Sequence, residues 1–245
     1  MRSLLVWGLL AGLLGGVLAF GFASVFGEPS VEAAIAIEEQ GGGHDHGTAA
    51  DEPAASEQEA PVSRGVQRTL GLAIATCAFG AALGGLVALA FAFAYGRLGR
   101  LTPRATAFTV TAVGFAAVVL VPYVTYPPNP PAVGHAETIG DRTAAYFGMM
   151  ALSVTLAIVA VYVARAGSLA AVGAGVGYVV AVWGVAALLP TFDEVPADFP
   201  AQTLWDFRLA SLGTQVVLWA TIGVAFAALL QRSTNRATAV GAAAG

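Results

Sequence analysis

Apolar residues in this chain do not alternate with polar ones. They gather into six long runs, at positions 4–26, 70–95, 105–123, 143–164, 169–189 and 209–230. A hydrocarbon core about 30 Å thick is crossed by roughly 20 residues of helix, so each run is of spanning length. The pattern predicts an all-α integral membrane protein with about six transmembrane helices in one polytopic domain, 1–232. Between the first two runs, 27–69 reads as an acidic, histidine-containing loop, partly disordered because Gly, Ala, Ser, Glu and Pro dominate it. The last residues, 233–245, read as a disordered tail.

The first run follows Arg2 and ends near the small residues Ala23 and Ser24, as a cleaved signal would. Its apolar length favours a retained helix instead, and so does the recurrence of glycine at Gly8, Gly12 and Gly16. Small residues let membrane helices approach closely where no hydrophobic force drives them together. Gly80 with Gly84, and Gly173 with Gly177, repeat the spacing and predict further contact faces.

Each even-numbered run is entered beside an arginine, Arg68, Arg142 or Arg208, and left near Arg97, Arg165 or Arg232, one membrane thickness of helix later. Proline-rich stretches lead into the last two entries, Pro122 with Pro127, Pro128, Pro130 and Pro131, then Pro190 with Pro196 and Pro200. They stop the odd helices and stiffen the return. The recurrence predicts three direct helical hairpins around an axis along the membrane normal.

Composition narrows the chemistry. The chain is 57% apolar and 11% charged, with mean hydropathy +0.75, against roughly 25% charged residues in a soluble domain. All 11 basic residues are arginine, so there is no Walker lysine and no Schiff-base lysine. Cys77 is the only cysteine, which rules out an intramolecular disulfide and cysteine-cluster metal sites, and it reads as a packing residue. Nothing in the composition points to nucleic acid or to a resident cofactor.

Charge placement sets a direction. With both termini cytoplasmic, Arg2, Arg97, Arg100, Arg104, Arg165, Arg232 and Arg236 lie inside and Arg64, Arg68, Arg142 and Arg208 outside, as the positive-inside rule prefers. All 15 acidic residues then fall outside: those from Glu28 to Glu59, together with Glu137, Asp141, Asp193, Glu194, Asp198 and Asp206. An anionic rim raises the local concentration of cations in a salt-dependent way; acidic residues also simply keep an exported loop soluble. Asp141 beside Arg142, and Asp206 two before Arg208, read as interfacial ion pairs. A gating role for Arg68, Arg142, Asp141, Arg208 and Asp206 is the sharper alternative.

Metal-binding chemistry concentrates in the first loop, where His44, Asp45 and His46 sit among glycines and further carboxylates. Imidazole and oxygen ligands suit borderline divalent metals, and two histidines make a labile site suited to capture and release. The same stretch also reads as a plain flexible linker. His135, Glu137 and Asp141 form a second candidate group, with a solvated loop as the alternative. Within the runs no acid, histidine or arginine sits at mid-depth, so a pathway must use weaker groups or a partner. Met149, Met150, Thr109, Thr111, Thr155, Tyr178, Thr214 and Gln215 are expected mainly in packing and interhelical hydrogen bonds. Tyr123, Tyr126, Trp205 and Phe207 fit an aromatic belt.

Three stretches together carry a family resemblance: the His44-Asp45-His46-Gly47 loop leading to Val66-Gln67-Arg68-Thr69-Leu70; Tyr126 to Gly134 through Thr138-Ile139-Gly140-Asp141-Arg142-Thr143; and Glu194 to Pro200 through Leu204-Trp205-Asp206-Phe207-Arg208-Leu209-Ala210-Ser211. With these the chain resembles the CbtA family of probable cobalt transporter subunits from Arg2 to about Arg232. The resemblance implies a multi-pass protein of a prokaryotic cell membrane, linked to cobalt uptake for cobalamin synthesis. It also implies a small CbtB-like membrane partner with its own histidine motif, and adds Glu32, Glu38 and Glu39 to the candidate metal ligands. The expected function is uptake of Co2+ or a similar divalent metal, captured on outer acidic and histidine loops. The alternative is a non-transporting subunit that binds or stabilises a separate permease. No nucleophile–base pair or metal triad supports an enzyme, and a homo-oligomer stays open.

Overall fold

The computed structural model describes residues 1–41 and 63–243, with side chains for 1–40 and 63–232. Among the described residues every regular element is helical: α1 (Arg2–Phe22), α2 (Glu28–Gly41), α3 (Arg64–Val66), α4 (Leu72–Ala94), α5 (Pro103–Phe115), α6 (Val121–Thr125), α7 (Ile139–Ala164), α8 (Ser168–Ala186) and α9 (Ala201–Ala243). Six helical stretches are long and apolar enough to cross a membrane: Arg2–Gln40, Arg64–Ala94, Pro103–Thr125, Ala136–Ala164, Ser168–Ala186 and Ala201–Arg232. Two helices continue well past the ends of their hydropathy runs. The stretch assigned to the start of the first loop is helical as α2, and the backbone of α9 continues to Ala243, through most of the segment read as a tail.

Glycine sets the tightest contact. A Cβ added to Gly12 would overlap the Gly80 carbonyl; one on Gly16 would lie 2.5 Å from the Thr76 carbonyl oxygen, and one on Gly8 2.6 Å from Ala88 Cβ. Real Cβ atoms do not come so close, so α1 and α4 run backbone against backbone along this seam. Around it, α1, α4, α5 and α9 share one core that includes Leu83, Val87, Phe91, Trp219, Ile222 and Phe226. Phe91 meets Phe226 edge to face, with centroids 5.4 Å apart, a geometry favoured by the ring quadrupoles.

The other side of the bundle is looser. α8 packs on α7, and Ala174 is its only buried residue. Ser153 and Tyr178 join the two helices through a 2.7 Å hydrogen bond between their hydroxyls. Among the described residues Gly173 and Gly177 have nothing within 4 Å of an added Cβ, so the glycine spacing expected to mark a contact face meets no facing helix among them. Nor do the fifth and sixth spanning helices pack closely together among the described residues, as the third hairpin of the expected repeat would require. α9 is held instead by α1 and α5, because its large apolar side chains belong to their core.

The acids gather at one end, with Arg64, Arg68, Arg142 and Arg208 among them, and the other arginines lie at the opposite end. At that opposite end are Arg2, the α4–α5 connection with Arg97, Arg100 and Arg104, then Arg165 and Arg232. Thr102 caps α5 there, its hydroxyl accepting from the Ala105 N–H at 3.2 Å with Pro103 opening the helix. At the other, acidic end lie α2, the 126–138 and 190–200 loops, and the starts of α7 and α9.

A candidate capture cap and the cleft beneath it

Between α1 and α2 the helix takes one π turn at Ala23–Gly27. A π turn holds an extra residue and so re-aims the face that follows. Beyond it, Ala34 is fully buried against Val133 of one proline-rich loop and Phe199 of the other, with Ile37, Val195 and Leu204 around them. This second apolar cluster fastens α2 and both loops into a folded cap. Tyr126 strengthens the join, its hydroxyl donating to the Pro190 carbonyl at 2.9 Å and its ring 6.0 Å from Phe192.

Ion pairs cross the cap between residues far apart in sequence. Arg64 pairs with Glu28 at 2.6 Å and Arg68 with Glu32 at 2.5 Å, tying α2 to the entry of α4. Arg142 pairs with Glu194 at 3.3 Å and also donates to the His135 carbonyl. Glu194, whose side chain is 7% exposed, accepts the His135 N–H at 3.0 Å. A side-chain hydrogen bond from Thr138, the largest influence, together with that backbone N–H and the Arg142 charge outweighs burial and holds its carboxyl below the ordinary value of 4.5. Gly134 makes the contact possible. It sits at φ +118, and a Cβ there would fall on the Arg142 guanidinium.

The local ion pairs expected from sequence do not form. Arg142 takes Glu194 rather than its neighbour Asp141, because α7 starts beside the returning 190–200 loop. Arg208 takes no carboxylate among the described residues. It donates to the Pro128 carbonyl at 3.3 Å and to Asn129 Oδ1 at 2.9 Å, while its own carbonyl accepts from the Tyr123 hydroxyl at 3.0 Å. Asp206, one α-helical turn after Gln202, accepts from that side chain instead and lines a shallow hollow beside the α1–α2 joint.

Of the candidate metal ligands, Glu32 is ion-paired, and Glu38, Glu39, His135 and Glu137 are exposed. His44, Asp45 and His46 lie outside the described residues. Among the described residues no three His, Cys, Asp or Glu side chains come together as a metal site, so His135, Glu137 and Asp141 share an end of the bundle but not a ligand set. Two contributors escaped the sequence reading. Glu194 was read only as one of fifteen acids and as the head of a family stretch, and Asn129 only as part of the Tyr126 to Gly134 stretch. Their signal was the proline-flanked setting, which fixes a loop that a long-range partner can use.

Beneath the cap a cleft of about 930 Å³ opens among α4, α6, α7 and α9. Its upper wall carries Arg142, Arg208, Tyr123, Asn129 and Tyr146, and its lower wall Leu83, Val119, Met150 and Trp219. From Arg208, Gln215 is about 10 Å deeper along α9 and Trp219 about 16 Å, at 1.5 Å per residue. The only charged side chains in the described lining are the two arginines. Arg142 Nε and Gln215 Oε1 are both buried without a hydrogen-bond partner among the described residues.

Six spanning helices with charge divided between their ends define a polytopic membrane protein. The model of the CbtA family, described as a probable cobalt transporter subunit, matches residues 1–231, and the chain belongs to that family. A subunit implies a partner. No curated protein and no solved structure matches the chain.

Proposed function

We propose that this chain is the membrane subunit of a divalent-metal importer whose cargo is cobalt. Its acidic end faces outward and gathers the ion before it crosses. Family membership selects cobalt; ligand chemistry alone would not, since nickel and copper bind comparable sites more tightly. The observation that carries the capture role is the concentration of exposed acids on the cap, Glu38, Glu39, Glu137, Asp141, Asp193 and Asp198. His44, Asp45 and His46, which follow α2 in the sequence, supply further imidazole and carboxylate ligands for the same capture. With the termini cytoplasmic, a divalent cation entering gains about 2.3 kcal/mol per charge per 100 mV of membrane potential. The use of the cobalt in cobalamin synthesis, in a prokaryotic cell membrane, belongs to the same reading.

A specific observation favours a narrower role. The cleft under the cap offers an incoming cation arginines rather than carboxylates or imidazoles. A route through the bilayer therefore needs a second subunit, of the small histidine-bearing CbtB-like kind, or another copy of this chain. In the limit this chain captures the metal and holds a separate permease. Purified chain in proteoliposomes, alone and with the partner, separates these roles by cobalt flux. Flux only with the partner supports the shared route, whereas full flux from the chain alone overturns it. Loss of capture on replacing His44 and His46 with Asn would place them among the ligands.

A further inference from the structure

The cleft is built in two halves of opposite character. At its head, Arg208 is half-buried and, among the described residues, bonded only to neutral oxygens, Pro128 O and Asn129 Oδ1. Arg142, opposite, keeps a buried Nε without a partner among the described residues. A guanidinium drawn partly out of water without a counter-charge is unfavourable, and oxyanions are its strongest partners. Glu194 answers the Arg142 charge, which leaves the head of the cleft one positive charge in excess.

Below the head the walls turn apolar, with Phe79 and Leu83 of α4 facing Phe147 and Met150 of α7 and Trp219 at the bottom. Phe79 and Phe147 are 55% and 59% exposed, so the cleft opens sideways between these helices, toward the hydrocarbon. A soluble oxyanion would satisfy the arginines and leave this lower half unfilled. A bare divalent cation meets two guanidinium groups and no anionic ligand. A molecule with an anionic head and an apolar tail satisfies both halves, entering from the side on which lipid lies.

We propose that the cleft holds an anionic phospholipid, its phosphate on Arg208 and Arg142 and one acyl chain between α4 and α7. This rests on membrane residence alone and stands whether or not the chain moves cobalt. The occupant fills the space directly beneath the cap, so it closes that space to an ion while it is bound.

Trp219 provides the probe. With Trp7, Trp183 and Trp205 changed to Phe, the full chain is placed in nanodiscs containing phosphatidylglycerol or phosphatidylcholine with brominated acyl chains. Trp219 should be quenched several-fold more by brominated phosphatidylglycerol, and Arg208→Gln should bring the two lipids to parity while Arg208→Lys keeps part of the preference. Equal quenching by both lipids in the chain with both arginines intact overturns the proposal, and that contrast does not depend on any arginine variant folding. A preference that survives Arg208→Gln with Arg142→Gln overturns it too. Soluble glycerol phosphate abolishing the preference as well as unlabelled lipid does would show a free-oxyanion site. Absence of quenching by either lipid would show the cleft closed to lipid, as a docked protein helix would leave it; both results contradict a lipid occupant.

Discussion

The cap and the cleft beneath it adjoin, yet their charges have opposite signs. On the cap, Glu28, Glu32 and Glu194 are each held by an arginine, while Glu38, Glu39, Glu137 and Asp141 stand exposed. In the cleft the only charged lining groups described are Arg142 and Arg208. The difference assigns separate tasks to the acids. Paired carboxylates fasten α2 and the loops together, exposed ones are available to a passing cation, and no acidic ladder continues into the described bilayer-spanning helices. On the proposed reading, gathering the ion and moving it across rest on different groups.

The largest expected effect lies on the exposed acids. Changing Glu38, Glu39 and Glu137 to Gln and Asp141 to Asn should cut cobalt entry roughly tenfold at limiting metal and low salt, the lower end of the range for electrostatic focusing. Saturating metal or high ionic strength should restore most of it, because exposed charges are screened. Uptake measured at two metal concentrations and two salt concentrations checks this; a loss that ignores both conditions would break the division of tasks.

Substitutions on the paired side should leave capture alone and lower stability. Gly134→Ala forces a side chain into a left-handed backbone at φ +118 and onto Arg142. Its cost should be about 1–3 kcal/mol, the scale of local backbone strain, seen as a lower Tm with unchanged metal dependence of uptake. Acid acts on the same tie. Glu194 has a depressed carboxyl pKa, so it contributes fully above the unfolded value of about 4.5 and loses that contribution as pH falls through the folded value. The Tm of the wild type should fall across that acid range more steeply than that of Glu194→Gln, and parallel curves would remove Glu194 from the account. The smallest effect belongs to Glu32→Gln. Its ion pair with Arg68 is about half exposed on both sides and should be worth about 0–1 kcal/mol, measured by the same melting experiment.

What the sequence made legible follows from the range of the interactions involved. The spanning helices and the gathering of acids at one end depend on local composition and bilayer thickness, and six membrane-length helices are present. The Gly12–Gly80 seam was legible as a spacing. The identical spacing at Gly173 and Gly177 meets nothing among the described residues, because a glycine face becomes a contact only when another helix is brought to it. Arginine partners were the least legible. Asp141 and Asp206 were near in sequence, but the proline-rich loops return Glu194 and Asn129 from much further along the chain. The acidic composition of 28–41 concealed a helix whose Ala34 and Ile37, three apart, share a buried face.

The division between cap and cleft is tested most directly by locating the metal. Crystals of the full chain soaked with cobalt and measured at the cobalt absorption edge should give anomalous density at the acidic cap and none between Arg142 and Arg208. Density inside the cleft, on Asn129 or Gln215 with Arg208 moved aside, would contradict the account.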